Sequence, residues 1–295
     1  MKQFKKAFSL IEISIVILVI GILVAGVTQA SKLIDKMTLT SAQALTQSSP
    51  VAGIKGLAAW YESTSEKSFS STIDQDSSTN NAVTVWNDIN PQSTSTFNAS
   101  PLASNNQPIL KKAAINNLPA VFFDGVNDYL AADSLASYFS GEDLPISVFV
   151  VLNKMGSAAA QQNFISFSNS SATDPLIWFP ITSGACTISR RSEGIIIASP
   201  SIVVTSNKAQ ILSFVSSGTT ASGYLNGATM FSGSPSDVPT TSLNQFSIGA
   251  ISRITPQYFF NGAIGEIIIF NRALTDEERL SIDRYLGKKW SIQVS

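Results

Sequence analysis

The chain contains no histidine and a single cysteine, Cys186. Without imidazole there is no Ser–His or Cys–His catalytic pair, and no zinc site that uses histidine. One thiol allows no intramolecular disulfide, even in an oxidising compartment. A buried, structural Cys186 is expected, with a reactive thiol as the alternative. Charge is scarce as well: Asp, Glu, Lys and Arg make up 13% of the residues and the net charge is −1. No basic cluster stands outside the first six residues, so nothing indicates a nucleic-acid partner.

Against this scarcity stands one long apolar run. Lys2, Lys5 and Lys6 precede residues 8–27, a stretch of twenty positions with one charge, Glu12. A helix of that length spans roughly 30 Å, the thickness of bilayer hydrocarbon. In lipid every backbone polar group must be satisfied internally, so a single span must be helical. The leading lysines place the N-terminus in the cytoplasm and the remainder on the exported side. Glu12 is costly there, about 2.5–3.5 kcal/mol at a helix centre and less near the interface. It calls for a cationic partner, yet no Lys or Arg occurs between Lys6 and Lys32. An ordinary signal anchor would share the leader and the span without needing Glu12. A cleaved secretory signal would have a shorter apolar core, although Ala25, Gly26 and Ala30 imitate its cleavage site.

The stretch Lys5-Lys6-Ala7-Phe8-Ser9-Leu10-Ile11-Glu12, with the run behind it, resembles the type IV prepilins, including the pseudopilins of type II secretion. The resemblance implies that a prepilin peptidase cuts between Ala7 and Phe8 and N-methylates Phe8. It implies that Glu12, at the fifth mature position, faces the terminal amine of a neighbouring subunit during assembly. Ala7 departs from the family's usual glycine before the cut. Loss of the leader's three lysines leaves 16 basic against 20 acidic side chains, a net −4.

The helix is expected to continue to Gln47, with Leu33, Ile34, Met37, Ala44 and Leu45 on one face and Lys32 and Lys36 solvated. Ser48, Ser49 and Pro50 stop it. Residues 51–295, about 240 in number, suffice for one substantial core. Their apolar residues come in short runs. Strands are expected at 56–61, 83–88, 119–125, 146–152, 163–168, 176–179, 185–190, 194–198, 201–205, 209–216, 246–251 and 264–270. Asn226-Gly227 turns a hairpin over 222–231, and 90–117 reads as irregular. So many short strands indicate an antiparallel sandwich. Thr275 and Glu278 form a capping box for a short final helix, with Leu280, Ile282, Tyr285 and Leu286 buried. Gly287 is its expected C-terminal cap, and Lys288 and Lys289 suit that end. The division is therefore a leader over 1–7, a membrane and assembly helix over 8–50, and a sandwich over 51–295.

The sandwich resembles the concanavalin-A-like, laminin-G-like jelly rolls. The matching pieces include Trp60-Tyr61, Trp86-Asn87-Asp88, Ala120 to Gly125 with Asp128-Tyr129-Leu130, Gly223 to Gly227, Phe246 to Gly249, and the tail from Gly262 through Arg279 to Trp290. Some relatives are glycoside hydrolases, which need two carboxylates about 5–10 Å apart. Their Glu-x-Asp-x-x-Glu strand is absent here. Glu142-Asp143 falls in a loop, Glu266 stands alone on its strand, and Glu277 and Glu278 belong to the helix start. The expectation is a protein that is not an enzyme. Laminin-G-like relatives often bind Ca²⁺. Asp124, Asn127 and Asp128 form an oxygen-rich turn of the kind a hard cation uses, or a turn built for backbone reasons alone. Asp74-Gln75-Asp76 is a second acidic loop. Among the tryptophans, Trp178 is the best exposed candidate for stacking on a sugar. The combined reading is a prepilin-like subunit at a bacterial inner membrane, displaying a head for a glycan or surface protein. An anchored lectin-like protein outside any filament is the alternative.

The mature terminus checks the leader. Mass analysis of the N-terminal peptide from the native envelope should find N-methylated Phe8. A chain still starting at Met1 would make the segment a signal anchor.

Overall fold

No proline interrupts residues 8–49, and Leu10–Gln47 form one unbroken helix, α1. A computed structural model describes residues 10–69, 81–142, 144–156, 161–174, 176–192, 195–198, 202–218, 220–233 and 240–295. At ~1.5 Å per residue α1 is roughly 57 Å long. The hydroxyls of Ser14, Thr28 and Ser31 donate to carbonyls three or four residues back. That keeps small polar groups satisfied in an apolar stretch.

The strands that follow among the described residues are β1 (Leu57–Glu62), β2 (Asn81–Ala82), β3 (Ile109–Ile115), β4 (Leu118–Asp124), β5 (Leu130–Ala131), β6 (Ile146–Lys154), β7 (Gln162–Ser168), β8 (Leu176–Thr182), β9 (Ala185–Cys186), β10 (Ser189–Ser192), β11 (Ile195–Ala198), β12 (Ile202–Val203), β13 (Ala209–Ser216), β14 (Ala221–Leu225), β15 (Ala228–Gly233), β16 (Gln245–Ile248) and β17 (Asn261–Phe270). Helix α2 (Asp276–Trp290) closes the fold. The strands form two antiparallel sheets. The first runs β15-β14-β13-β6-β17-β4-β3-β2, with β1 also on β17. The second runs β11-β10-β8-β7-β16-β5, with β9 and β12 at its side. This is the expected mainly-β jelly roll between a long first helix and a short last one.

Strand alternation divides the apolar residues between two layers. Val148, Val150, Ile267 and Ile269 face inward and meet Phe164, Phe167, Phe179 and Phe246 of the second sheet. Trp60, Phe149, Val151 and Ile268 face outward and are covered by Ile282, Tyr285, Leu286 and Trp290 of α2. The end of α1 joins this outer layer through Ala42, and Val51 follows it in. Gln43 Nε2 donates to the Thr64 carbonyl at 2.9 Å, and Lys112 pairs with Asp35 at 3.4 Å. The stalk is thus fixed to the head.

The structure departs from the sequence expectations in three places. Ile109–Ile115 is a strand, not irregular: Asn116 and Asn117, at φ 46° and 65°, turn it back onto β4. Two successive positive φ values are what a type I′ hairpin requires, so the Asn-Asn pair was the available signal. Residues 83–88 do not form a regular strand. Asp88 Oδ1 accepts from the amides of Trp60 and Asn90, and Trp86 makes a lone bridge to Ala99. Side-chain bonds here replace a ladder. Finally, α2 has its capping box at Thr275 and Glu278 but runs past Gly287 to Trp290, and Ser291 is the left-handed cap. Gly287 serves a close approach: a Cβ there would lie 2.4 Å from Val294 Cγ2.

Gly265 sits at a bulge of β17, where the register against β6 shifts between Ile264 and Glu266. A Cβ on it would lie 2.4 Å from Trp290 Cη2. Gly265→Ala should cost about 1–3 kcal/mol by overpacking. It should appear as a lower urea midpoint at unchanged slope.

Candidate functional site

Two regions carry the functional features. The first is the bare part of α1. From Leu10 to Val27 its large apolar side chains are 50–85% exposed. Among the described residues this is one helix long and apolar enough to cross a membrane. Glu12 lies in its first turn. Ala7 and Phe8 lie outside the described residues, as do Asp74-Gln75-Asp76 and Asp143. Beyond the span, Leu33, Ile34 and Met37 remain 60–64% exposed. The head covers only the last turns of the helix.

The second region is the head, whose most concentrated chemistry lies under α2. Glu62 and Glu266 are directly opposite each other on β1 and β17. Like charges so placed repel. Lys289 resolves the conflict by donating to Glu62 Oε2 at 2.7 Å and Glu266 Oε2 at 2.8 Å, all three side chains being fully buried. The remaining carboxylate positions are also filled. Glu266 accepts from Trp60 Nε1, the Tyr285 hydroxyl and Trp290 Nε1 at 2.8–2.9 Å. Glu62 accepts from the Thr64 amide and hydroxyl, the Ser65 amide and the Ser68 hydroxyl. Burial pushes the Glu62 carboxyl up, but Lys289 and the Thr64 donors outweigh it and hold it below its usual range. Burial pulls the Lys289 ammonium down, and Glu266 and Glu62 more than restore it. A second buried pair, Arg279 and Asp283 at 2.8 Å, holds α2 from its other side. Ser213 of β13 donates to Asp283. Lys289 is therefore not a solvated helix-end lysine, and Glu266 is not alone. Every carboxylate bond in this cluster holds the fold together.

Of the residues proposed for a cation, Asp124 and Asp128 spend oxygens on their own turn. Asp124 Oδ1 accepts from the amides of Val126, Asn127 and Asp128, and Asp128 Oδ2 accepts from the Asp124 amide. The Asn127 carbonyl accepts from Asn106. Burial first, and then the Asp124 charge, push the Asp128 carboxyl up to about 6, against the Asp124 amide bond that lowers it. Among the described residues no three His, Cys, Asp or Glu side chains cluster as a metal set.

Trp178 is 7% exposed rather than open. On β8, Ile177, Phe179 and Ile181 enter the main core, which turns Leu176 and Trp178 to the opposite face. Ile251 packs on both. It belongs to a strap that leaves β16 at Gly249, where φ is 91°. The strap is pinned at the Ala250 carbonyl, which accepts from Asn163, Ser166 and Ser247. It is closed by reciprocal amide–carbonyl bonds between Ile251 and Gln257, both 3.0 Å. Strand alternation alone gave no sign of this cover. Cys186 is buried, and burial raises its thiol well above the ordinary value.

With this architecture in place, comparison with known proteins identifies its class. Residues 124–278 match the family model of the concanavalin A-like lectin/glucanases superfamily. The match covers more than half of the chain, which therefore belongs to that superfamily. The fold is shared with the binding domain of botulinum neurotoxin serotype D, at 13% identity and a TM-score of 0.53, over 81% of this chain and 53% of that one. The NanB sialidase of Streptococcus pneumoniae, as its K499G mutant, matches at 25% identity and a TM-score of 0.45, over 54% of this chain and 27% of that one. The Ruminococcus gnavus IT-sialidase CBM40, bound to α2,3 sialyllactose, matches at 17% identity and a TM-score of 0.43, over 50% and 86%. The chain thus spans about a quarter of the sialidase's length. No curated protein matches it.

Removing Lys289 tests the buried cluster. Lys289→Met leaves two opposed carboxylates without their cation and should cost about 3–5 kcal/mol. The pH dependence should change sign. In the wild type the depressed Glu62 contributes stability present above its unfolded pKa and lost as pH falls through the lower folded value. In the variant burial raises the carboxyls above their unfolded value, so the variant should gain stability as pH falls through those raised values toward about 4. Urea midpoints of both proteins across pH 3–8 check this.

Proposed function

We propose that the chain is a prepilin-like structural subunit of a type IV pilus or a type II secretion pseudopilus. It is anchored in a bacterial inner membrane and carries a lectin-fold head that binds glycan or a surface protein. One observation carries the reading: a carboxylate near the start of an apolar helix whose exposed side chains continue past the span to Met37. A plain anchor needs neither the carboxylate nor the extra stripe. Both suit a helix that is to be covered by other helices, with Glu12 meeting the amine of a neighbouring subunit. A prepilin peptidase and other pilin or pseudopilin subunits are the partners this implies. The fixed joint between α1 and the head suits display outside such a bundle. A head of this size suits a minor or tip position better than a densely packed shaft. Membership of the lectin superfamily supports the binding role, and the chain acts without catalysis in this reading. For the Asp124 turn the reading is structural, because its own amides use the carboxylates. Calcium at Asp124, Asn127 and Asp128 would be a second role.

Glu12→Val should leave membrane insertion and leader cleavage intact while removing the subunit from filaments. Immunoblots of envelope and sheared-filament fractions read both steps. Normal incorporation of the variant would overturn the assembly role and leave a membrane-anchored lectin-fold protein.

A further inference from the structure

The outer face of the second sheet, under the strap after β16, holds polar atoms with no partner among the described residues. Ser168 and Gln245 are opposite each other in the β7–β16 register, and Ser166 is opposite Trp178 in the β7–β8 register. Ser252 and Arg253 follow Ile251, which lies on Leu176 and Trp178. Ser168 Oγ, Trp178 Nε1, Gln245 Oε1, Ser252 Oγ and Arg253 Nε are all buried without a hydrogen-bond partner among the described residues. Ser168 is 0%, Ser252 5%, Trp178 7% and Arg253 9% exposed. Arg253 Nη1 does reach the Thr173 carbonyl at 3.2 Å. Each orphaned buried group costs about 1–3 kcal/mol, and native structures rarely gather several in one place. In the Lys289 cluster, by contrast, every carboxylate oxygen of Glu62 and Glu266 is matched.

We infer that this face is the sugar subsite of the head, taking a neutral pyranose whose hydroxyls complete Ser168, Trp178, Gln245, Ser252 and Arg253. The inference rests on the glycan-binding part of the proposed function. The chemistry selects the ligand class. Indole and guanidinium N–H groups donate, the Gln245 oxygen accepts, and the two serine hydroxyls do either. A ligand that both donates and accepts at neighbouring positions satisfies them all, and a polyol does so. An anion would satisfy only the donors. Leu176 and Trp178 supply an apolar floor for the C–H face of a ring once the strap carries Ile251 off them. Gln245 and Asp174 are half-buried and mark the open margin. The loop 252–256, held by the Ile251–Gln257 bonds, lifts to admit the ring.

The test uses the full chain in detergent micelles. Neutral methyl pyranosides and their disaccharides are titrated by calorimetry and saturation-transfer NMR, with glucuronate as the anionic comparator. Saturable binding of a neutral sugar is expected, weakened roughly three- to tenfold by Trp178→Phe and likewise by Ser252→Ala. Ser252→Ala should not lower the urea midpoint, because its hydroxyl has no partner among the described residues. Trp178→Phe shrinks a buried ring and should lower it. A purely structural Trp178 would give that loss of stability with affinity unchanged. Binding that ignores both variants would overturn this location while leaving the glycan reading intact. Preference for glucuronate would overturn the neutral class. Silence across all sugars would remove both the subsite and the glycan reading, and the assembly role would still be decided by Glu12→Val.

Discussion

The head is organised around one lysine between two glutamates. Antiparallel pairing sets Glu62 against Glu266 in a buried layer, an arrangement that would drive β1 from β17 if left alone. Lys289, arriving from the far end of the chain, makes it attractive. The bond pattern then fixes α2 at its last turn, because the same helix supplies Tyr285 and Trp290 to Glu266. Gly265 has no side chain because the Trp290 ring lies over it. A cluster with so many matched donors specifies one docking of α2 more sharply than apolar contact would.

That docking also creates the seat for the stalk. Thr46 of α1 lies by the Tyr285 hydroxyl at 3.5 Å, and Ala42 shares the apolar layer of Tyr285 and Trp290. The buried charges therefore connect the long apolar helix to the sandwich. The two faces of the sandwich serve different ends. The outer face of the first sheet is closed by α2 with its polar groups paired. The outer face of the second is covered by a strap, with polar groups left without partners among the described residues.

Reading the residues in order reached the architecture and much of the stalk. Twenty nearly uncharged positions without proline describe a long apolar helix whatever follows them. Thr275 with Glu278 specifies a helix start locally, and Asn226-Gly227 a hairpin. The weaker readings were those in which side chains replace backbone pairing. Trp86 to Asp88 has strand composition, but Asp88 bonds the amides of Trp60 and Asn90. The strand at Ile109–Ile115 contains two lysines and hides among Ser and Asn. Trp178 sits in a continuous apolar run, Leu176 to Ile181, that does not say what covers its outward face, and a distant strap does so.

What the sequence determined by itself was whatever depends on near neighbours: the apolar helix, the placement of Glu12, the caps, the turns and the alternation that makes a sandwich. These follow from periodicity and local hydrogen bonding, with interacting residues within a few positions of each other. Tertiary structure alone decided the pairing of Lys289 with Glu62 and Glu266, 227 and 23 positions away. It also decided the burial of Trp178 beneath Ile251 and the fate of Gly287 as a point of close approach. A charge or a ring does not announce its partner along the chain. Its energy depends on solvent exposure and on what faces it, and both are set only when the sheets and the last helix come together.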